Sequence, residues 1–109
     1  MATKVPERTE QPTRDELELS AVLHALSDPI RLKMVAALAA VEAGEAPTCG
    51  SFDVPVSKST CTHHFRVLRE AGVIEQRPQG TARLNTLRRA DLEARFPGLL
   101  ETVLRAAPA

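Results

Sequence analysis

A mostly α-helical fold with one small β-hairpin is what this sequence predicts, on three observations. The chain has no Trp or Tyr and only three Phe, so its core must rest on Leu, Val, Ile and Ala, which suits helix packing. Several stretches repeat apolar residues at three- and four-residue spacing, the period of a helix with one buried face. Another stretch, "VIEQRPQGTARLNTL", alternates apolar and polar residues on either side of Pro-Gln-Gly-Thr, the pattern of two strands joined by a turn. At 109 residues the chain makes one small domain with a thin core, to which a second copy could add.

The elements follow in order. Residues 1–13 hold Pro6, Pro12 and many charges without an apolar period, and are expected to form a flexible N-terminal arm ahead of a domain spanning 14–107. Residues 15–26 set Leu19, Val22, Leu23 and Leu26 at helical spacing, giving a first helix. Ser27 and Asp28 then supply a cap, Pro29 fits the first turn where its missing N–H costs nothing, and Gly44 stands as a stop, so a second helix is expected over 29–41. The irregular "GEAPTCGSFDVPVS" leaves room for a short helix around residues 48–52. Ser57 or Ser59 caps the next helix, which ends at Gly72. The hairpin follows, its tip flanked by Arg77 and Arg83. Residues 91–107 place Leu92, Phe96, Leu100, Val103 and Leu104 on one side, with a break and restart expected at Pro97-Gly98.

Charge is distributed unevenly along a chain whose formal net charge is zero. Residues 1–53 carry five basic and nine acidic side chains, net −4; residues 54–89 carry seven basic and two acidic, net +5; the remainder is net −1. A basic middle segment suits a polyanion bound through one face, and equally suits a solvated surface.

The segment "VSKSTCTHHFRVLREAGVI" raises the functional question, because it brings a cysteine, two histidines and several cations into one helix. Projected at about 100° per residue from Cys61, Phe65 falls near about 40°, Leu68 near about 340° and Gly72 near about 20°. Cys61 is thus central to the apolar stripe. Ser59, Thr62, His63, Arg66 and Glu70 form the opposite, polar arc. His64 flanks the core side, so the two histidines point in different directions. Helix, helix, short helix, helix, hairpin, helix is the order of a winged helix-turn-helix, in which the second helix of the turn motif enters the major groove.

The phrases "LHALSDPIRLKMVAAL" and "SKSTCTHHFRVLREAGVIEQRPQG" resemble the ArsR/SmtB family of bacterial repressors, with a match over residues 15–104. The resemblance implies a homodimer built by the first and last helices, whose apolar positions here are Leu19, Val22, Leu23, Leu100, Val103 and Leu104. It implies binding to a double-stranded, pseudo-palindromic DNA operator that blocks transcription until a signal releases it. Its recognition positions fall on Lys58, Ser59, Thr60, Thr62 and His63, with Arg66 close by. These types also make physical sense alone: short hydroxyls can approach base edges or phosphates, and the cations supply charge-assisted contacts. The plainer alternative is that they cap and decorate a solvated face. On the wing, Arg77, Gln79 and Arg83 are expected at phosphate or the minor groove, or else as ordinary hairpin surface. Arg31 matches a family position where a phosphate contact and an internal salt bridge are both open.

Metal-sensing proteins of this family carry Cys-x-Cys before the recognition helix, or Asp and His ligands on the last helix. Here "EAPTCGSFD" has a single cysteine and residues 91–109 have no histidine, so neither metal site is complete and no metal or cofactor is expected. Two cysteines, Cys49 and Cys61, are too few for a disulfide framework and are expected as free thiols. Cys61 suits the core, a thiol switch beneath the recognition helix, or, with His64, part of a metal site. Cys49, in a Gly-flanked loop, is either an idle surface thiol or the more reactive one. Catalysis is not expected, because a Cys/His pair needs a cleft and an oxyanion stabiliser that so small a helical domain does not announce. A winged-helix module that contacts an acidic protein is the competing reading. No apolar run reaches the roughly 20 residues of a membrane span, and the N-terminus shows no signal peptide, so a cytoplasmic protein is expected.

Overall fold

The computed structural model describes residues 11–40, 57–80 and 82–107. A 3₁₀ turn at Arg14–Glu16 leads into α1 (Leu19–Leu26) and α2 (Pro29–Ala39); then come α3 (Lys58–Ala71), strands β1 (Ile74–Gln79) and β2 (Ala82–Leu87), α4 (Arg89–Arg95) and α5 (Leu99–Ala106). This is the expected winged helix-turn-helix order. The short helix anticipated around residues 48–52 lies outside the described residues.

The first helix starts later than its apolar period suggested. Glu16 Oε1 accepts the Thr13 backbone N–H at 2.9 Å, closing a 3₁₀ turn. Leu17 is then extended (φ −66°, ψ 134°) and drops its side chain into the core, 1% exposed. It lands beside Gly72, where an added Cβ would collide with it. One helix running through residues 15–26 could not deliver Leu17 there.

Caps fix the other boundaries. Asp28 Oδ2 accepts the N–H groups of Ile30 and Arg31 at 2.9 and 3.0 Å, and Pro29 opens α2. Ser57 Oγ accepts the Thr60 N–H at 3.2 Å, and Gly72 closes α3 in the left-handed conformation (φ 86°), as the capping residues predict. Gly98, also left-handed (φ 84°), separates α4 from α5 at the expected break.

The helices share one core. Met34 and Val35 from α2, Phe65 and Leu68 from α3, and Ile74 from β1 are each at most 3% exposed, with Leu92 and Leu100 closing it from α4 and α5. Burying each large apolar side chain stabilises the fold by about 1.5–3 kcal/mol. The hairpin is antiparallel, from Ile74↔Leu87 to Gln79↔Ala82. Pairing therefore includes Pro78 and Gln79, expected in the turn; Pro is tolerated in a sheet that has two strands among the described residues, both of them edges.

Gln11, within the 1–13 stretch expected as a flexible arm, makes contacts with the hairpin. Its side-chain amide donates to the Gln76 carbonyl at 3.0 Å and accepts the Gln76 N–H at 3.1 Å, so it pairs with the edge of β1 as a further strand would. Arg88 donates to the Pro12 carbonyl at 2.6 Å, and Asp91 binds Arg14 and Arg88 at 2.7 and 2.9 Å. The Arg14 and Arg88 guanidiniums, outweighing partial burial, hold the Asp91 carboxyl below its ordinary value of 3.8.

Candidate nucleic-acid interface

On α3 the predicted two-sided pattern becomes a physical division. Lys58, Ser59, Thr60, Thr62, His63 and Arg66 are exposed, whereas Cys61, His64, Phe65, Leu68 and Ala71 are buried. The first turn contains no acidic residue, so the helix itself sets no carboxylate against the positive end of its dipole and the Lys58 ammonium. Arg66 is 60% exposed and lies 3.8 Å from Glu70, one turn further on. An exposed pair of this kind is worth little, so an incoming phosphate can displace the carboxylate at small cost. Thr62 and His63 stand beside it on the outer arc.

The hairpin is fastened to the same helix. Arg69, in the last turn of α3, donates to Gln76 Oε1 at 2.9 Å, and Gln76 Nε2 donates to Asn85 Oδ1 at 2.6 Å across the strand pair. Gln76 and Asn85 are 6% and 2% exposed. A buried amide pair satisfied in this way fixes the hairpin's placement, since breaking it would strand polar groups in the interior. Arg77 projects from β1, 63% exposed, its guanidinium 3.9 Å from Glu75. Gln79 and Arg83 occupy β1 and β2 near the tip; their side chains lie outside what the structure describes.

Beneath the helix is a polar cluster that periodicity did not bring out. His64, 8% exposed, sits with Nδ1 3.2 Å from an Arg31 guanidinium nitrogen and Nε2 3.9 Å from Asp28 Oδ2. Arg31 is itself 7% exposed and donates to the carbonyls of Ala25 at 2.7 Å and His24 at 3.3 Å. Its guanidinium is thus bound internally, and among the described residues by neutral acceptors and with no salt bridge. Burial is the main cause that depresses the His64 pKa below 6.5; the Asp28 carboxylate comes next and pulls it back up, and the smaller influences of Arg31 and His63 lower it again. Partial burial of Asp28 acts against its charge but is outweighed by the Arg31 N–H, the neighbouring cations and the Ile30 N–H, which leave its carboxyl below 3.8. A signal existed in the sequence: Arg31, Met34, Val35 and Leu38 are all buried along one face of α2, so Arg31 occupies the first position of an apolar stripe.

Cys61 is in the core as its stripe predicted, 4% exposed, but it is disulfide-bonded, which corrects the expectation of a free thiol. Such a bond depends on Cα atoms approaching within about 7 Å, a tertiary property with no local sequence signal. Cys49 lies outside the described residues. Among the described residues no group of three or more His, Cys, Asp or Glu side chains is placed to hold a metal ion, and no helix is long and apolar enough to cross a membrane.

The apolar residues expected between subunits fall into three sets. Val22 and Leu100, 1% and 3% exposed, belong to the chain's own core. Leu19 and Leu23, 47% and 44% exposed, are the large hydrophobics left uncovered among the described residues, while Val103 and Leu104 on α5 are half-buried against the core.

Comparison with known proteins agrees with this geometry. Residues 26–77, from the end of α1 to the middle of β1, match the helix-turn-helix domain family. The chain is 31% identical over 91 residues to YceK of Bacillus subtilis (strain 168), described as an uncharacterized HTH-type transcriptional regulator; the alignment covers 82% of this chain and 89% of that protein.

Proposed function

This chain belongs to the helix-turn-helix transcriptional regulators, a DNA-binding class, and from that premise we propose that it is a homodimeric repressor of the ArsR/SmtB type that reads a pseudo-palindromic operator. The carrying observation is the division of α3, where Cys61, Phe65, Leu68 and Ala71 are buried while Lys58, Ser59, Thr60, Thr62, His63 and Arg66 remain exposed. That arc enters the major groove, with Thr62, His63 and Arg66 at base edges and Lys58, Ser59 and Thr60 at the phosphates flanking them. The wing carries Arg77, Gln79 and Arg83 to the adjacent backbone or minor groove. Leu19 and Leu23 of α1, with Val103 and Leu104 of α5, join the two copies and set the half-site spacing. On this reading the chain is a cytoplasmic binding protein that needs no cofactor and catalyses nothing.

The test is a fluorescence-anisotropy titration of the full chain on a labelled duplex from its own upstream region, at fixed physiological salt with scrambled duplex as competitor. Binding that survives the competitor supports an operator-reading protein; binding that collapses favours the winged-helix module for an acidic protein partner. The Arg66→Ala/His63→Ala double variant is expected to lose specific binding while its sedimentation stays that of a dimer. Unchanged affinity would remove the outer arc from the reading surface.

The disulfide at Cys61 favours a second, compatible reading, in which thiol chemistry controls the repressor. Dithiothreitol would deliver two electrons and two protons to the bond, releasing two thiols and becoming a cyclic disulfide itself. A difference in operator affinity between oxidised and reduced protein that disappears in the Cys49→Ser/Cys61→Ser variant supports it; an equal response in both proteins removes it.

A further inference from the structure

The histidine on the inner side of α3 has a different task from its exposed neighbour. We infer that His64, as a neutral imidazole accepting a hydrogen bond from Arg31, is a positioning residue that holds α3 against the start of α2, and that its protonation loosens the DNA-reading surface. This rests on α3 being the reading helix.

The geometry fixes the proton's place. Arg31 can only donate, so Nδ1 at 3.2 Å must accept, and the ring's single proton belongs on Nε2, facing Asp28 at 3.9 Å. Arg31 is held for this purpose by the backbone carbonyls of Ala25 and His24, at the end of α1. Asp28 is held by the N–H groups of Ile30 and Arg31, which it caps. Three elements therefore converge on one ring: the last turn of α1, the first turn of α2 and the middle of α3. The ring lies one residue from His63 and two from Arg66, both on the outer arc.

A second proton on the ring would turn the acceptor into a donor aimed at a donor. Among the described residues, the charged and titratable groups around it are Asp28 and Arg31 at the α2 end and His63 on α3 itself. Asp28 would welcome the new charge more strongly than Arg31 or His63 would repel it, but it does so at Nε2 and offers nothing to replace the acceptor lost at Nδ1. Burial opposes the charged form as well. Acid should therefore break the Arg31–His64 contact while the hydrophobic contacts of α3 remain. The reading helix would then keep its apolar stripe and the Arg69 bond to the hairpin but lose its polar tie to the start of α2, with less constraint on its rotation.

The decisive experiment uses the full chain at pH 7.5 and pH 5.5. Long-range ¹H–¹⁵N spectra are expected to show His64 with an unprotonated Nδ1 and a midpoint below the ordinary 6.5; a proton on Nδ1, or a midpoint at or above 6.5, overturns the inference. In parallel, anisotropy on the upstream duplex compares the unaltered chain with His64→Gln and His64→Leu. The glutamine carbonyl can accept from Arg31, so His64→Gln is expected to match the unaltered chain at pH 7.5 and to lack its acid weakening. His64→Leu, without an acceptor, is expected to bind about three- to tenfold more weakly at pH 7.5. Because all three proteins keep His63, its own titration cancels in the comparison. The same acid weakening in His64→Gln as in the unaltered chain overturns the inference. Urea midpoints separate the two layers. If no protein binds the duplex specifically, while the unaltered chain loses stability on acidification and His64→Gln does not, the clip stands and the DNA-reading assignment falls.

Discussion

The outer arc and the inner face of α3 are built from overlapping residue types and held in opposite ways. His63 and His64 are consecutive, their ring centroids 5.8 Å apart, yet one is exposed and the other buried against Arg31. Arg66 and Arg69, three residues apart, both approach the exposed Glu70 carboxylate, at 3.8 and 3.6 Å, but Arg69 is also tied into the buried Gln76–Asn85 pair of the hairpin. A helix that must meet a partner needs one side whose polar groups are free to exchange water for new contacts, and another so fully satisfied that the helix does not move when they do. The inner face achieves this with hydrogen bonds as well as apolar packing, and so it places titratable groups at the structural joint.

The comparison breaks most sharply in the core beneath the helix. Leu68→Ala, at a side chain with no exposure, should cost about 2–5 kcal/mol of unfolding free energy, read as a fall in urea midpoint; a loss below about 1 kcal/mol would mean that the inner face is not the anchor described. Gly72→Ala comes next, because a Cβ there meets Leu17 and Pro12 while φ stays left-handed; about 1–3 kcal/mol is expected, by the same measurement. Asp28→Ala, which removes the cap of α2 and the carboxylate facing His64, should cost about 0.5–2 kcal/mol.

Acid sharpens the same contrast. The depressed carboxyls of Asp28 and Asp91 contribute stability that is complete above their ordinary value of 3.8 and is lost as pH falls through the lower, folded-state values. His64, depressed below 6.5, follows the same sign in a higher window, so its share begins to disappear as pH drops below 6.5. Urea midpoints followed downward from pH 7.5 should therefore fall in two stages, the first missing in His64→Gln. The smallest effect belongs to the outer arc. Thr62→Ala and Arg66→Ala should each leave stability within about 0.5 kcal/mol by thermal melting, even as they weaken specific DNA binding; a larger loss would show that the arc supports the fold.

Much of this was legible in the sequence because it is encoded locally. The stripe of Cys61, Phe65 and Leu68, the capping serine and the terminal glycine are all properties of a single segment, and they specify both the helix and the side it buries. The start of α1 was not legible, since the extended Leu17 answers to a cavity beside Gly72, 55 residues further along the chain. Nor was the docking of Gln11, whose amide bonds to Gln76 across a separation of 65 residues. In the candidate site, the exposed residues of α3 followed from its period, but the internal use of Arg31 did not: a charged side chain on an apolar stripe can snorkel to solvent or find buried acceptors, and only the neighbouring elements decide which.

By itself, then, the sequence determined the order of elements, the polarity of α3 and the turns that separate helices from hairpin, since capping, periodicity and left-handed glycines act over a few residues. Tertiary structure alone decided what the inner face touches, His64 against Arg31 across 33 residues and Cys61 in a disulfide, and which apolar residues of α1 are covered, Val22 in the core and Leu23 outside it. Periodicity tells which way a side chain faces, but the identity of what it meets depends on how separate elements pack, and that is settled by the whole chain's free energy.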